Sequence, residues 1–313
     1  MDRHRIAAAA LAATATTAAL AVVLVLDGCG SPARGPVARE PSAAESRTLA
    51  RAEQVLISRC MAARGFPYEV AEVPQDGARS FPYVVDDVAW AREHGYGGAE
   101  ERAAARARED DPNQRYFRQL PAARRAAART ALMGAAPVGL SAKAPTGVTI
   151  TASADGCIAD AQRTLYGDPA TWFRVKVVTM NLRPVREARV LEDARYAGAV
   201  AEWAACMKAA GRPHATPDES RRTAARWGEE LPPAEADAAA AELAVVEATC
   251  ATGTPLARVS QSLDRAYGEE LRTRYRAELT LRWRLQSEAL PKARRLAQSE
   301  HDTTTETSGG SRA

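Results

Sequence analysis

Apolar residues recur three or four positions apart through most of the second half of the chain. Leu256, Val259, Leu263, Tyr267 and Leu271 form one such stripe. That spacing predicts an amphipathic helix opening at Thr254-Pro255 and running past Leu279 and Trp283 to a kink or stop at Pro291. Earlier helices are predicted over RTLARAEQVLISRCMAARG, PAARRAAARTALMG and YAGAVAEWAACMKAAG, and a short one from Asp86 or Asp87 to Gly95. Asp168-Pro169 has the form of a helix start, and Thr216-Pro-Asp-Glu219 that of a capping box. Period-two signals are confined to the first half. VGLSA and GVTITAS flank Lys143-Ala-Pro-Thr and predict a small β-hairpin. FPYEV (66–70) and FPYVV (81–85) predict two extended segments about a turn, each with a Pro that favours an edge. The helical stripes cannot be buried singly, so the expected fold is mainly α: a helical bundle with a small β-hairpin in the first half and a long C-terminal helix.

The ends of the chain are patterned differently. MDRHR is followed by an uncharged run from Ile6 to Leu26 and then LVLDGCG. A basic start, an apolar stretch and a small-residue Cys site form an export signal of the lipoprotein type, with Cys29 as the lipid-attachment residue. Asp27 is unusual beside such a site. The same run also fits an uncleaved membrane anchor or an ordinary secretory signal, and all three send the rest of the chain out of the cytoplasm. The expected organisation is a signal over 1–28, a flexible Pro/Ala/Gly/Ser tether over 29–45, a helical domain over 46–298 and a disordered polar tail over 299–313. The domain divides into two loosely related lobes, about 46–180 and 181–298.

The lobes are suggested by an internal echo. Cys60-Met-Ala-Ala-Arg-Gly-Phe-Pro-Tyr68 matches Cys206-Met-Lys-Ala-Ala-Gly-Arg-Pro-His214 at Cys, Met, Ala, Gly and Pro. Gly65 and Gly211 suit a left-handed helix end, Pro67 and Pro213 stop the helix resuming, and Met61 and Met207 fill core space. Besides Cys29 there are four cysteines, Cys60, Cys157, Cys206 and Cys250. An even number in an exported chain points to two disulfides, and no two lie close enough in sequence for a zinc knuckle. Three pairings are open; the economical one gives each copy of the echo one bridge, Cys60–Cys157 and Cys206–Cys250. Cys60-Met61 to Gly65, then Asp155 to Ala161 with Leu165 to Asp168, then Trp203 to Gly211 and the later Cys250, resemble a group of uncharacterised actinobacterial lipoproteins. The resemblance spans most of the chain after the signal. It implies export and paired cysteines, and no activity.

Composition adds exclusions. The 313 residues carry a net charge of +3, which gives no electrostatic case for nucleic acid. No HExxH, GxSxG or phosphate-cradling Gly loop occurs, so no catalytic residue, metal ligand or cofactor is assigned. Asp86-Asp87 and Asp110-Asp111 are read as helix caps and solvated charge. The basic runs at 123–129 and 291–295 are solvated helix faces or contacts for anionic lipid or wall polymer. Trp90, His94 and Tyr96, beside flexible glycines, form a possible ligand rim or an aromatic-pinned helix end. The function expected is that of a membrane-tethered extracytoplasmic lipoprotein, attached by its N-terminal lipid. It would bind or scaffold a protein or cell-wall partner without catalysis. The alternative is an envelope enzyme acting on wall peptide or glycan.

Overall fold

The structure is a computed structural model that describes residues 38–70 and 79–309, with side chains described to residue 298. The signal, Cys29 and most of the tether lie outside the described residues. The described residues form one compact unit.

Helix α1 (Ala43–Ala63) opens on Ser42, whose hydroxyl accepts from Glu45 N while the Glu45 carboxylate accepts from Ser42 N. This reciprocal cap starts the helix inside the stretch assigned to the tether. The chain then forms α2 (Val88–His94), α3 (Gly98–Glu109), α4 (Pro112–Gln119) and α5 (Ala122–Met133). Strands β1 (Gly139–Lys143) and β2 (Thr149–Ser153) pair antiparallel, with Gly139 opposite Ser153 and Lys143 opposite Thr149, which is the expected hairpin. Helices α6 (Cys157–Tyr166), α7 (Pro169–Met180), α8 (Leu182–Leu191), α9 (Ala194–Ala209), α10 (Pro217–Glu230), α11 (Pro233–Gly253), α12 (Leu256–Arg274) and α13 (Arg276–Gly309) complete the fold. The fold is mainly α, and both expected disulfides are present: Cys60–Cys157 ties α1 to α6, and Cys206–Cys250 ties α9 to α11.

The echo is a repeated piece of backbone. At the end of α1, Phe66 N donates to Met61 O and Gly65 N to Ala62 O; at the end of α9, Arg212 N donates to Met207 O and Gly211 N to Lys208 O. Gly65 and Gly211 have φ of 78° and 75°. These are two Schellman endings in the same register. Met61 and Met207 occupy the same position in each and are fully buried.

The cores do not follow the expected boundary near residue 180. One apolar group gathers α1, α5, α6, α7 and α13: Leu49 and Ala52 pack with Trp172, Val175, Ala289 and Leu290, and Ile57, Met61 and Phe66 with Ala128, Ala131 and Ala161. The other gathers α8 to α12 with Tyr83 and Val84, and α2 joins α11 through Ala91, Ala244 and Ala248. So 81–94 belongs with the second lobe and α13 with the first. The cause is where the apolar side chains find cover. Phe66 lies in the first core while Tyr83 and Val84 lie in the second, so FPYEV and FPYVV do not pair, and among the described residues β1–β2 is the only ladder.

Two further differences concern the C-terminal stripe. Its helix is broken at Tyr275 (φ −106°, ψ 25°) into α12 and α13. It also continues through Pro291. Burial of Ala289, Leu290 and Ala293 against α1 flanks the proline on both sides and outweighs its missing hydrogen bond. The helix extends to Gly309, into the segment assigned to a disordered tail, because no stop residue intervenes before that glycine. Among the described residues, no helix is long and apolar enough to cross a membrane.

Candidate functional site

The predicted rim residues are split by the fold. Asp87 caps α2, its carboxylate accepting from Trp90 N at 2.9 Å and from the Arg79 guanidinium at 2.7 Å. These two bonds, the Trp90 amide first, hold the Asp87 carboxyl below its ordinary range. Trp90 and His94, one turn apart, stack at 5.0 Å, and the Phe81 ring lies tilted 4.7 Å from Trp90. His94 Nδ1 is 2.5 Å from a Glu100 carboxylate oxygen. Tyr96 turns the other way, into the core.

There the Tyr96 hydroxyl donates to Glu247 Oε2 at 2.6 Å, while Val85 N donates to Glu247 Oε1 at 2.9 Å. The Trp203 indole donates to the Glu247 carbonyl at 3.3 Å. Glu247 is fully buried. Burial raises its pKa, and the bonds from Tyr96 and Val85 with the charge of Arg221 pull the other way. Burial, with the adjacent Glu247 charge, drives the Tyr96 hydroxyl far up. Arg221 in turn donates to the carbonyls of Phe81 and Pro82. Glu247 thus stitches the 81–85 segment, the α2–α3 turn and α9 onto α11. The sequence shows it only as an acid within an apolar helix, LAVVEAT, and that was its one available signal.

A polar cleft of about 590 Å³ lies between residues 79–86 and helices α8 and α12. Its groups are mutually engaged. The Tyr83 hydroxyl donates to Asp264 at 2.5 Å, Arg186 pairs with Asp264 at 2.8 Å, and Gln261 donates to Asp86 at 2.8 Å. This network clamps the 79–86 segment in place.

A wider groove lies elsewhere, of about 1160 Å³, bounded by α3, α4 and α5 with Gln54 and Tyr68 from the first lobe. Helices α3 and α4 lead the chain from the second lobe back to the first. Asp111 caps α4, accepting from Gln114 N at 2.8 Å, with Pro112 in the first turn. The Asn113 side chain is buried and closes two bonds to the Glu69 backbone, at 2.7 and 2.9 Å. Four arginines line the groove: Arg108, Arg118, Arg125 and Arg129. The basic run at 123–129 is therefore divided. Arg124 lies over the Phe66 ring and donates to Gly65 O, Arg125 holds the carbonyls of Arg118 and Leu120, and Arg129 faces the groove.

No family model, curated protein or solved structure matches this chain. The geometry is therefore the only guide to the site. Among the described residues, no three His, Cys, Asp or Glu side chains converge in a way that could hold a metal ion. The groove joins a broad opening, apolar side chains and cationic groups with unspent donors, an arrangement suited to holding an anionic partner.

Proposed function

We propose that this chain is an extracytoplasmic protein, tethered to the outer face of the cell membrane by lipid on Cys29, that binds a partner of the cell envelope in the groove under α3 and α4. The observation that carries the location is the pair of disulfides, Cys60–Cys157 and Cys206–Cys250, since such bonds persist in oxidising compartments. The signal-like segment ending LVLDGCG supports the same placement. The groove, with four arginines and a large open volume, supports binding over chemistry.

The anchor is tested by incorporation of a labelled fatty acid in the producing cell. Label in the wild type, together with its loss and release from the membrane fraction in Cys29→Ala, is the expected result. Membrane retention of the unlabelled variant would instead implicate the Ile6–Leu26 run. Recovery of native protein from the cytosol with four free thiols would overturn the location. Binding is tested by placing a photo-crosslinking amino acid at Ala104, on the groove side of α3, in intact cells. An adduct at that position is expected, and none would form if the groove were empty in the cell.

A further inference from the structure

The groove continues beyond its arginines. Arg129 and Met133 line both the groove and a second recess of about 410 Å³, set among α5, the hairpin, α6 and α7. Leu140, Ile158 and Phe173 supply carbon to that recess, with Lys176 and Asp155 as its other charged groups. Met133 is 57% exposed although it bridges the two spaces. A methionine so placed is an adaptable apolar surface without cover.

The walls of the groove are equally uncovered. Helix α3 buries none of its residues. Ala104, Ala107 and Arg108 of α3 line the groove, and their three-and-four spacing puts them on one face. The Arg108 and Arg129 side chains make no hydrogen bond or ion pair among the described residues. Arg118 and Arg125 are fixed by backbone carbonyls, Arg118 Nη2 to Glu109 O at 2.6 Å and Arg125 Nη2 to Arg118 O at 2.8 Å, which leaves their other N–H groups unspent. Two acids also line the groove, Glu109 and Asp111, and the Asp111 carboxylate is engaged as the α4 cap. A concave surface with four guanidinium groups against two carboxylates keeps a positive excess, and such a surface concentrates anions.

We propose that this composite site binds a single amphiphilic anion, a phosphate headgroup on an apolar chain, with the headgroup among Arg108, Arg118, Arg125 and Arg129 and the chain passing Met133 into the recess. This rests on the groove being the binding site, as above, and names its ligand class. A bare phosphate makes no use of the carbon-lined recess. A neutral amphiphile leaves the guanidinium groups with nothing to bind. A phosphate amphiphile uses both.

The test titrates the purified protein with dodecyl phosphate below its micelle concentration, followed by calorimetry. Inorganic phosphate, dodecyl maltoside and dodecyltrimethylammonium are run in parallel. One dodecyl phosphate per chain is expected, binding at least tenfold more tightly than any of the other three. The double variant Arg108→Gln/Arg129→Gln changes two exposed side chains, so its melting temperature should hold while affinity falls about tenfold or more. Ala104→Trp, which fills the groove from an exposed helix face, should reduce binding similarly. Equal binding of inorganic phosphate would reduce the site to a general anion site and overturn the proposal. Equal binding of dodecyl maltoside, unaltered affinity in both variants, or no binding would each overturn it too. The crosslink at Ala104 separates this failure from that of the wider reading. A peptide adduct there keeps the groove and overturns the amphiphile; an amphiphile adduct supports both.

Discussion

The two Cys-Met helix ends share their backbone and differ in everything they touch. Both end in a Schellman turn with a buried methionine and a cysteine one residue earlier. In the first, Cys157 opens α6, and the surrounding core is apolar: Ile57, Met61, Phe66, Ala128 and Ala131. In the second, Cys250 lies near the end of α11, and the same helix carries the buried Glu247 one turn earlier. The residue after the glycine also differs. Phe66 is buried, whereas Arg212 reaches an exposed Glu242 at 3.1 Å. A local cassette has been kept while its setting changed. What recurs is what a helix end needs by itself; what varies is what each lobe required for closure.

The largest test of that contrast removes each bridge whole. The first closes a separation of 97 residues and the second 44. On the chain-entropy model these correspond to about 4.7 and about 4.0 kcal/mol. Urea unfolding of Cys60→Ala/Cys157→Ala and of Cys206→Ala/Cys250→Ala should show both strongly destabilised, the first more so. A reversed order would mean that native packing, not loop closure, sets the ranking. The residues after the glycines should differ more sharply. Phe66→Ala is expected to cost about 3 kcal/mol, as a buried aromatic does. Arg212→Ala should cost less than about 0.5 kcal/mol, because its ion pair is solvent-screened.

Much of this was legible from local grammar. The hairpin, the α2 cap at Asp87, the Asp168-Pro169 start and the paired Schellman endings are each decided within a few residues, so period and cap residues suffice. Thr216 does cap α10, although the Glu219 carboxylate bonds Ala215 N and leaves the box half-formed. The assignment of elements to lobes was not legible, because it depends on which distant surface covers an apolar face. The FPY segments at 66–68 and 81–83 are alike in sequence and end in different cores. The groove was invisible for a related reason. Helix α3 is rich in alanine, arginine and acid, α4 is polar apart from Tyr116 and Phe117, and their importance lies in a space they only partly enclose. Trp90 and His94 share a face, as their four-residue spacing predicts. Tyr96 does not join them, since Gly95, at φ 59°, turns the chain and re-aims the next side chain into the core.

Glu247 gives the comparison a pH dependence that the first lobe lacks at the equivalent place. Its folded pKa is raised above the ordinary value of 4.5 by burial. The folded state therefore holds this proton more tightly than the unfolded chain. The stabilisation from its neutral form is complete below about pH 4.5 and is lost as pH rises through the folded value. Glu247→Gln keeps an acceptor for Val85 N and removes the buried charge, so it should flatten that part of the stability–pH curve and cost little at neutral pH. Glu247→Ala leaves Val85 N and the Tyr96 hydroxyl without partners and should cost about 3 kcal/mol. If the two variants have the same pH profile as the wild type, burial does not govern this carboxyl.

The smallest effect tests the claim that the cassette is autonomous. A Cβ added at Gly65 or at Gly211 meets nothing within 4 Å, and both residues have left-handed φ. Substitution therefore carries no clash at either site, only the backbone cost of placing an L-residue there, about 1 kcal/mol. Gly65→Ala and Gly211→Ala should destabilise by that amount and by nearly the same amount, despite the different cores behind them. Gly65→Asn and Gly211→Asn should recover part of the loss, since asparagine tolerates the left-handed region best after glycine. Thermal unfolding of the four variants measures this directly. Unequal costs for the two alanines would show that each lobe reaches into its own helix end, and that the shared grammar is set by tertiary context.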